Sequence, residues 1–340
     1  MLDLVPGAHN DVTDVEGVCV GHHTMTADGA LTGVTVVVPP PGTCAGVDVR
    51  GAAPGTRETD LLDPRNAVGT VDAVVLTGGS AYGLRAAGGV MDTLEQEGRG
   101  WPVPGGVVPI VPAAVIFDLG RGDFSQRPGP QDGSLAYAAR STDPVPLGSV
   151  GAGTGAVAGG LRGGVGSASA VLPSGATVAA LVVVNSAGSV VDLRSGELLA
   201  AGLADTADAL PRGAVGRERL DAYLELQRER RAALELGTAT TIGVVVTDYA
   251  LSKALCGRLA AIGHDGLARA IDPVHTMFDG DTLFGLATGA KGEPTPAQSF
   301  DLFDAAASCV ARAVARAITA AAPGGPAPTY TEMLLRPGTS

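Results

Sequence analysis

Short apolar runs, each closed by glycine or by a polar turn, recur along this chain without the regular strand–helix–strand alternation that a doubly wound sheet requires. They read "GVCVGHH" around residue 20, "TGVTVVVPP" at 32–40, "DAVVLT" at 72–77 and the extended "VVPIVPAAVIFDLGRGDF" at 107–124. Further on come "GATVAALVVVNSAGSVVD", "TTIGVVVTD" at 240–248 and "DTLFGLATG" at 281–289. Period-two spacing puts Ile242, Val244 and Val246 on one face of a buried strand. Helical patterns fall between these runs. One starts near Ser80, a suitable N-cap. A charged one covers 216–236 with Leu220, Leu224 and Leu234 at packing positions, two lie near 250–262 and 264–271, and an Ala-rich one covers 298–322. The pattern predicts a layered α+β fold. Its 50 glycines in 340 residues are roughly twice the usual ~7%. With only 4% aromatic residues, the layers must pack closely through Ala, Val and Leu.

The formal charge of −12 argues against a nucleic-acid partner, because that affinity rests on Lys and Arg neutralising phosphates. No basic run overrides it. The start, "MLDLVPGAHNDVTD", lacks the basic end and apolar core of a signal peptide, and the longest apolar stretches are too interrupted to span a bilayer. Arg312 and Arg316, one helical turn apart in "AAASCVARAVARAITAAA", mark a solvated helix face. Cys19, Cys44, Cys256 and Cys309 form no CxxC pair and no Cys/His cluster, so no metal site is expected, and free thiols in a reducing cytoplasm fit best.

Four stretches could carry chemistry. Thr240 and Thr241 open an apolar strand, which β-branched residues favour on their own account. The alternative is that the chain is cut between Ala239 and Thr240. An N-terminal threonine carries its own base, since an α-amine with a reference pKa of ~7.7–8.0 is partly neutral at pH 7. Asp279 and Asp281 in "MFDGDTLFG" flank a glycine, either as a solvated turn or as paired carboxylates facing a reacting amide or an ammonium. "GAGTGAVAGG" at 151–160 is a loose dinucleotide fingerprint, but "DPVPLGS" before it makes a poor strand, and a glycine-lined wall fits better. Asn185 closes the strand "VVVNSAG", either capping a turn or donating to an oxyanion. "GGSAYG" lacks the G-x-S-x-G frame of a serine nucleophile. His9, His22, His23, His264 and His275 have no triad-like setting in the sequence.

Taken in order, "HNDVTDVEGVCVGHH", "LTGGSAYGL", "PAAVIFDLG", "VGAGTGAV", "VVVNSAG", "TTIGVVVTD" and "PVHTMFDGDTLFGLATG" resemble the family of DmpA-type L-aminopeptidase/D-esterases and nylon-oligomer hydrolases over nearly the whole chain. The resemblance implies an αββα sandwich in a single domain, residues 1–340. It also implies self-cleavage into chains 1–239 and 240–340, assembly as a tetramer of such pairs, and hydrolysis of peptide or other linear amides without a cofactor. Thr240 falls on the nucleophile, Asn185 on the amide that assists at the carbonyl, and Asp279 and Asp281 on the paired acids. Three positions depart from the pattern. Ala239 stands where the nylon hydrolases have Asn, Phe117 where some members have Tyr, and Arg162 where a lysine is expected beside the nucleophile. Arginine keeps the charge but not the point contact or the removable proton. Two other readings remain: an uncut, non-catalytic scaffold, and a dinucleotide-dependent oxidoreductase built on residues 151–160.

Overall fold

The computed structural model describes residues 4–211, 215–232 and 239–335. Two five-stranded sheets lie face to face. The first runs in the order Cys19–Met25, Thr32–Val38, Val74–Thr77, Ala113–Val115, Thr56–Arg57. The second runs Gly164–Val171, Thr177–Val184, Ile242–Thr247, Thr282–Ala287, Cys44–Val49. Helices α1 (Ala86–Gln96) and α2 (Pro130–Ala138) cover the first sheet. Helix α3 (Arg217–Ala232) packs at the periphery, and α4 (Lys253–Ala270) and α5 (Pro296–Thr319) cover the second sheet. Three apolar cores separate the layers, so the fold is the αββα sandwich expected.

Strand alternation builds two of these cores from the same strands. Ile242, Val244 and Val246 point into the space between the sheets, while Val245 points towards α4 and α5. Ala179, Leu181 and Val183 on the neighbouring strand do the same, with Val178, Ala180 and Val182 on the helix side. Burial on both faces explains why these strands read as continuous apolar runs.

Small residues set the layer spacing. A Cβ on Gly166 would come 1.9 Å from the Ala313 carbonyl of α5, so only glycine lets that helix lie so close. The same constraint corrects the two helices expected at 250–262 and 264–271. They form one continuous helix, α4, through Gly263, whose missing side chain makes room for Leu283 and Val245. Ser80 is not a helix cap either. Gly79 holds the left-handed cap position, and a 3-10 turn at Ser80–Arg85 precedes α1. Leu220 is buried and Leu224 half-buried in α3, and Leu234 lies outside the described residues.

The solvated arginine face was a misreading. Arg312 is 2% exposed, and its guanidinium is bidentate on Asp208 at 2.7 and 3.0 Å. It also donates to the Ser169 carbonyl at 2.8 Å and to the Asn10 Oδ1 at 2.8 Å. Arg316 donates to the Ser167 carbonyl at 2.5 Å and to the Asn10 carbonyl. Helix α5 is buried nearly all round, and its two arginines tie the N-terminal segment and residue 208 to the second sheet.

Removing one member of such a pair strands the other charge in the core. Asp208→Ala is expected to cost about 3–5 kcal/mol in urea unfolding. Burial pushes the Asp208 carboxyl up, but Arg312 and Asn10 outweigh it and the net shift is down. A depressed carboxylate stabilises the fold above its unfolded pKa of ~3.9, and that stability is lost as pH falls through the folded value. The wild-type advantage over Asp208→Ala should therefore be full at neutral pH and shrink below about pH 4. An advantage independent of pH would show that the pair contributes packing and not charge.

Candidate active site

Sheet register assembles the site. Thr240 stands two residues before the central strand Ile242–Thr247 of the second sheet. The antiparallel neighbour pairs Val183 with Ile242, which brings Asn185, just past that strand's end, back beside Thr240. The parallel neighbour pairs Ile242 with Thr282, so Asp281 and Gly280 approach from the other side. Segments of the chain 40 to 96 positions apart thus meet at one sheet end.

The backbone grips both halves of the Ala239–Thr240 peptide bond. The Thr240 N–H donates to the Asn185 carbonyl at 2.6 Å, and the Gly280 N–H donates to the Ala239 carbonyl at 3.0 Å. The Thr240 hydroxyl donates to that same Ala239 oxygen at 2.5 Å. Ala239 is 6% and Thr240 4% exposed. The peptide bond is therefore polarised by two donors at its oxygen and closed off from solvent. Gly280 is required here, because a Cβ would meet the Ala53 carbonyl at 2.4 Å and the Thr240 hydroxyl at 2.8 Å.

Asp279 and Asp281 are each 1% exposed. Neither is hydrogen-bonded to Thr240 itself. Asp279 accepts from the Ala187 N–H at 3.2 Å, and from the Thr276 N–H and hydroxyl at 2.9 and 2.5 Å. Asp281 accepts from the Thr241 N–H at 2.7 Å and pairs with His275 Nδ1 at 2.7 Å. The acids thus hold the chain on either side of Gly280 against the segments bearing Asn185 and Thr240. Burial, and after it the Asp281 charge, pushes the Asp279 carboxyl up despite its donors.

The Asn185 side chain is held from several directions. Its Oδ1 accepts from Val157 N–H at 3.1 Å and from Arg121, and its Nδ2 donates to the Phe117 carbonyl at 3.3 Å. Phe117 thus reaches the site through its backbone. Arg121 also donates to the Gly155 carbonyl at 2.7 Å. Burial is the main cause that lowers its pKa to about 10, with Asp118 opposing and the Arg230 and Arg162 charges adding to the fall. Arg162 is elsewhere. It pairs in strand register with Val157, its N–H donates to the Pro328 carbonyl at 2.8 Å, and its guanidinium packs against Gly325. Its Nε and Nη1 are buried without a hydrogen-bond partner, and no hydrogen bond or ion pair joins it to Thr240, Asn185, Asp279 or Asp281 among the described residues.

Two residues at the site were not assigned to it from sequence. Arg121 follows the quoted "PAAVIFDLG" directly. His275 lies six positions before Asp281, a spacing readable as a pair only once the intervening turn is known. The histidine has a φ of 55° and stands edge-on to His264 with ring centroids 4.7 Å apart. Residues 151–160 form a 3-10 turn and a two-residue strand with neither strand before nor helix after, so they lack the setting of a dinucleotide site. Among the described residues, no group of three or more His, Cys, Asp or Glu is placed to hold a metal ion.

An αββα sandwich with a buried threonine hydroxyl against a peptide carbonyl fits a hydrolase of amide bonds. The chain belongs to peptidase family S58, whose model matches residues 10–326. It is 49% identical over 341 residues to an uncharacterized aminopeptidase of Mycobacterium tuberculosis, covering 95% of this chain and 98% of that one. A 6-aminohexanoate-oligomer endohydrolase of Kocuria sp. is 30% identical over 307 residues, covering 86% and 80%. Among solved structures, the L-aminopeptidase D-Ala-esterase/amidase of Ochrobactrum anthropi, a variant of the Ntn hydrolase fold, superposes with a TM-score of 0.73 at 20% identity, covering 99% and 93%. A Burkholderia sp. beta-aminopeptidase gives 0.70 at 24% identity, covering 94% and 89%.

The His275–Asp281 pair has a direct test. Asn at position 275 tolerates the positive φ and keeps a donor near Nδ1, whereas Gly tolerates the φ and loses the donor. A hydrogen bond to a buried charge is worth about 1.5–3 kcal/mol, so His275→Gly should lower kcat/KM by roughly 10- to 100-fold while His275→Asn retains most of it. Equal losses in both variants would show that the imidazole ring matters for its packing against His264.

Proposed function

We propose that this protein is a self-processed hydrolase of peptide or other linear amides, cut before Thr240, with the freed Thr240 as nucleophile. The observation that carries the reading is the Thr240 hydroxyl 2.5 Å from the Ala239 carbonyl oxygen, with Gly280 N–H on that oxygen and the Asn185 carbonyl on the Thr240 nitrogen. The hydroxyl oxygen adds to the Ala239 carbonyl carbon, and Gly280 N–H takes the developing oxyanion. The C–N bond then breaks, and the nitrogen gains the proton that the hydroxyl lost. Water opens the resulting ester, leaving the Ala239 carboxylate, a free hydroxyl and a free α-amine. Burial of the bond supports an intramolecular cut, because an outside protease has no access to it.

Turnover repeats the same geometry on a substrate amide. The Thr240 α-amine, hydrogen-bonded to the Asn185 carbonyl, accepts the hydroxyl proton as the oxygen attacks. The oxyanion occupies the place of the Ala239 oxygen with Gly280 N–H as its donor, and Asn185 Nδ2, which donates to the Phe117 carbonyl in the uncut chain, turns to the substrate carbonyl as the second. The leaving amine departs with the proton, and water hydrolyses the acyl-enzyme. Asp279 and Asp281 keep the glycine and the two threonines in register. Arg162, whose charge reaches Arg121 and through it Asn185, adds positive potential to the site. Aminopeptidase, β-aminopeptidase and 6-aminohexanoate-oligomer activities all fit this chemistry. We place the enzyme in the cytoplasm as a tetramer of 1–239/240–340 pairs, supported by the free cysteines and the family resemblance.

Purified protein should be two chains, the smaller beginning at Thr240. Thr240→Ala should remain one chain, Thr240→Ser should still cut, and Gly280→Ala should stay uncut because its Cβ collides with the hydroxyl. N-terminal sequencing checks this, and a smaller chain starting elsewhere would defeat the assignment. In cleaved enzyme, activity should rise with pH through the amine pKa, whose unperturbed value is ~7.7–8.0. Nearby carboxylates raise that pKa by favouring the ammonium, so Asp279→Asn should move the rising limb to lower pH even as the maximum rate falls. An unmoved limb would mean that the titrating base is another group.

A further inference from the structure

Next to the site lies a cavity of about 430 Å³ between α3 and the loops at 187–193 and 272–278. It shares its wall with the reaction centre. Ala187 and Thr276 line it, and both donate to Asp279. Leu193, Leu224 and Phe278 give it an apolar body. Its charged side chains run against the −12 of the chain: three arginines, Arg228, Arg230 and Arg231, face a single acid, Asp272.

The other arginines of α3 have partners. Arg217 pairs with Asp221 at 3.1 Å and Arg228 with Glu225 at 2.6 Å, and Arg219 donates to the Glu332 and Met333 carbonyls. Arg230 and Arg231 have no carboxylate or carbonyl partner among the described residues. Arg230 is half-buried, its stem laid along Gly160, where a Cβ would come 2.8 Å from its Cδ. Burial pushes its pKa down, with Tyr223 opposing, which marks a guanidinium held partly out of water.

We propose that this cavity selects amide substrates carrying a carboxylate on a short apolar stem, and that Arg230 is the residue that pairs with it, with Arg231 at the mouth. A guanidinium takes a carboxylate in a two-pronged, planar contact that neither water nor a carboxamide reproduces. The cavity's leucines and Phe278 accommodate the stem, and the shared wall with Asp279 sets the reacting amide against Thr240. This rests on Thr240 as the nucleophile. The carboxylate comes either from the substrate's C-terminus or from an acidic side chain.

The test uses fully cleaved enzyme and three matched dipeptides: Ala-Leu, its C-terminal carboxamide, and Ala-Glu carboxamide. Wild type should favour one of the two acids over Ala-Leu carboxamide by about 10- to 100-fold in kcat/KM, mostly through KM. Which acid is favoured identifies the source of the carboxylate. Arg230→Gln should bring the acid-to-carboxamide ratio to about one, and Arg230→Lys should restore part of it. A readout without turnover runs beside this: hexanoate should raise the Tm of wild type, hexanamide should not, and Arg230→Gln should abolish the shift. Hydrolysis of all three substrates alike, with no hexanoate shift, overturns the cavity assignment and leaves the Thr240 reading standing. An Arg230-dependent hexanoate shift in a cleaved protein that hydrolyses none of them upholds the carboxylate site and overturns the Thr240 reading instead. A preference that survives Arg230→Gln overturns the role of Arg230.

Discussion

Two backbone hydrogen bonds hold everything else in place: Thr240 N–H to the Asn185 carbonyl and Gly280 N–H to the Ala239 carbonyl. Both continue the pairing of the central strand Ile242–Thr247 past its end, one towards the antiparallel neighbour and one towards the parallel neighbour. A one-residue slip of either neighbour would move Asn185 or Gly280 off the peptide bond, and it would also turn each strand's core residues to the wrong face. The register that buries Leu181, Val183, Ile242 and Val244 is therefore the register that builds the site.

The polar groups around the bond follow from this frame. Asp281 ties Thr241 to the loop of His275, and Asp279 ties Ala187 to Thr276, so two buried acids act as braces for the chain on either side of Gly280. An unpaired buried carboxylate is costly, and each of these is satisfied by two or more donors. Arg121 and Val157 fix the Asn185 amide in the same way. The far end of the second sheet is fastened by Arg312 on Asp208, a contact that joins α5 to the N-terminal segment and leaves the reaction centre untouched.

Much of this was legible in the sequence. A layered α+β fold and a strand opening at Thr240 followed from the apolar runs, while the αββα sandwich and the choice of Asn185, Asp279 and Asp281 as site residues came from the family resemblance of the ordered motifs. What was not legible shares one physical cause, that a residue's partner came from a distant segment. Arg312 reads as solvated because nothing near it in sequence carries a negative charge, and Asp208 is 104 positions away. Gly263 reads as a helix break because the side chains that need its empty space, Leu283 and Val245, belong to the sheet beneath. His275 was set aside although its acid is six residues on, since its turn depends on a positive φ that sequence does not announce. Arg162 lies behind the site against Gly325, and Arg121 is the arginine that touches Asn185.

The proposed role of Thr240 as nucleophile has a direct test. Mixing cleaved enzyme with an activated ester or amide that acylates faster than it deacylates, then quenching in acid, should leave one acyl group on the 240–340 chain. Peptide mass spectrometry should place that group on the residue-240 hydroxyl, with the α-amine free. An acyl group on any other residue, or full turnover in cleaved protein carrying Thr240→Ala from separately produced chains, would contradict the role of Thr240.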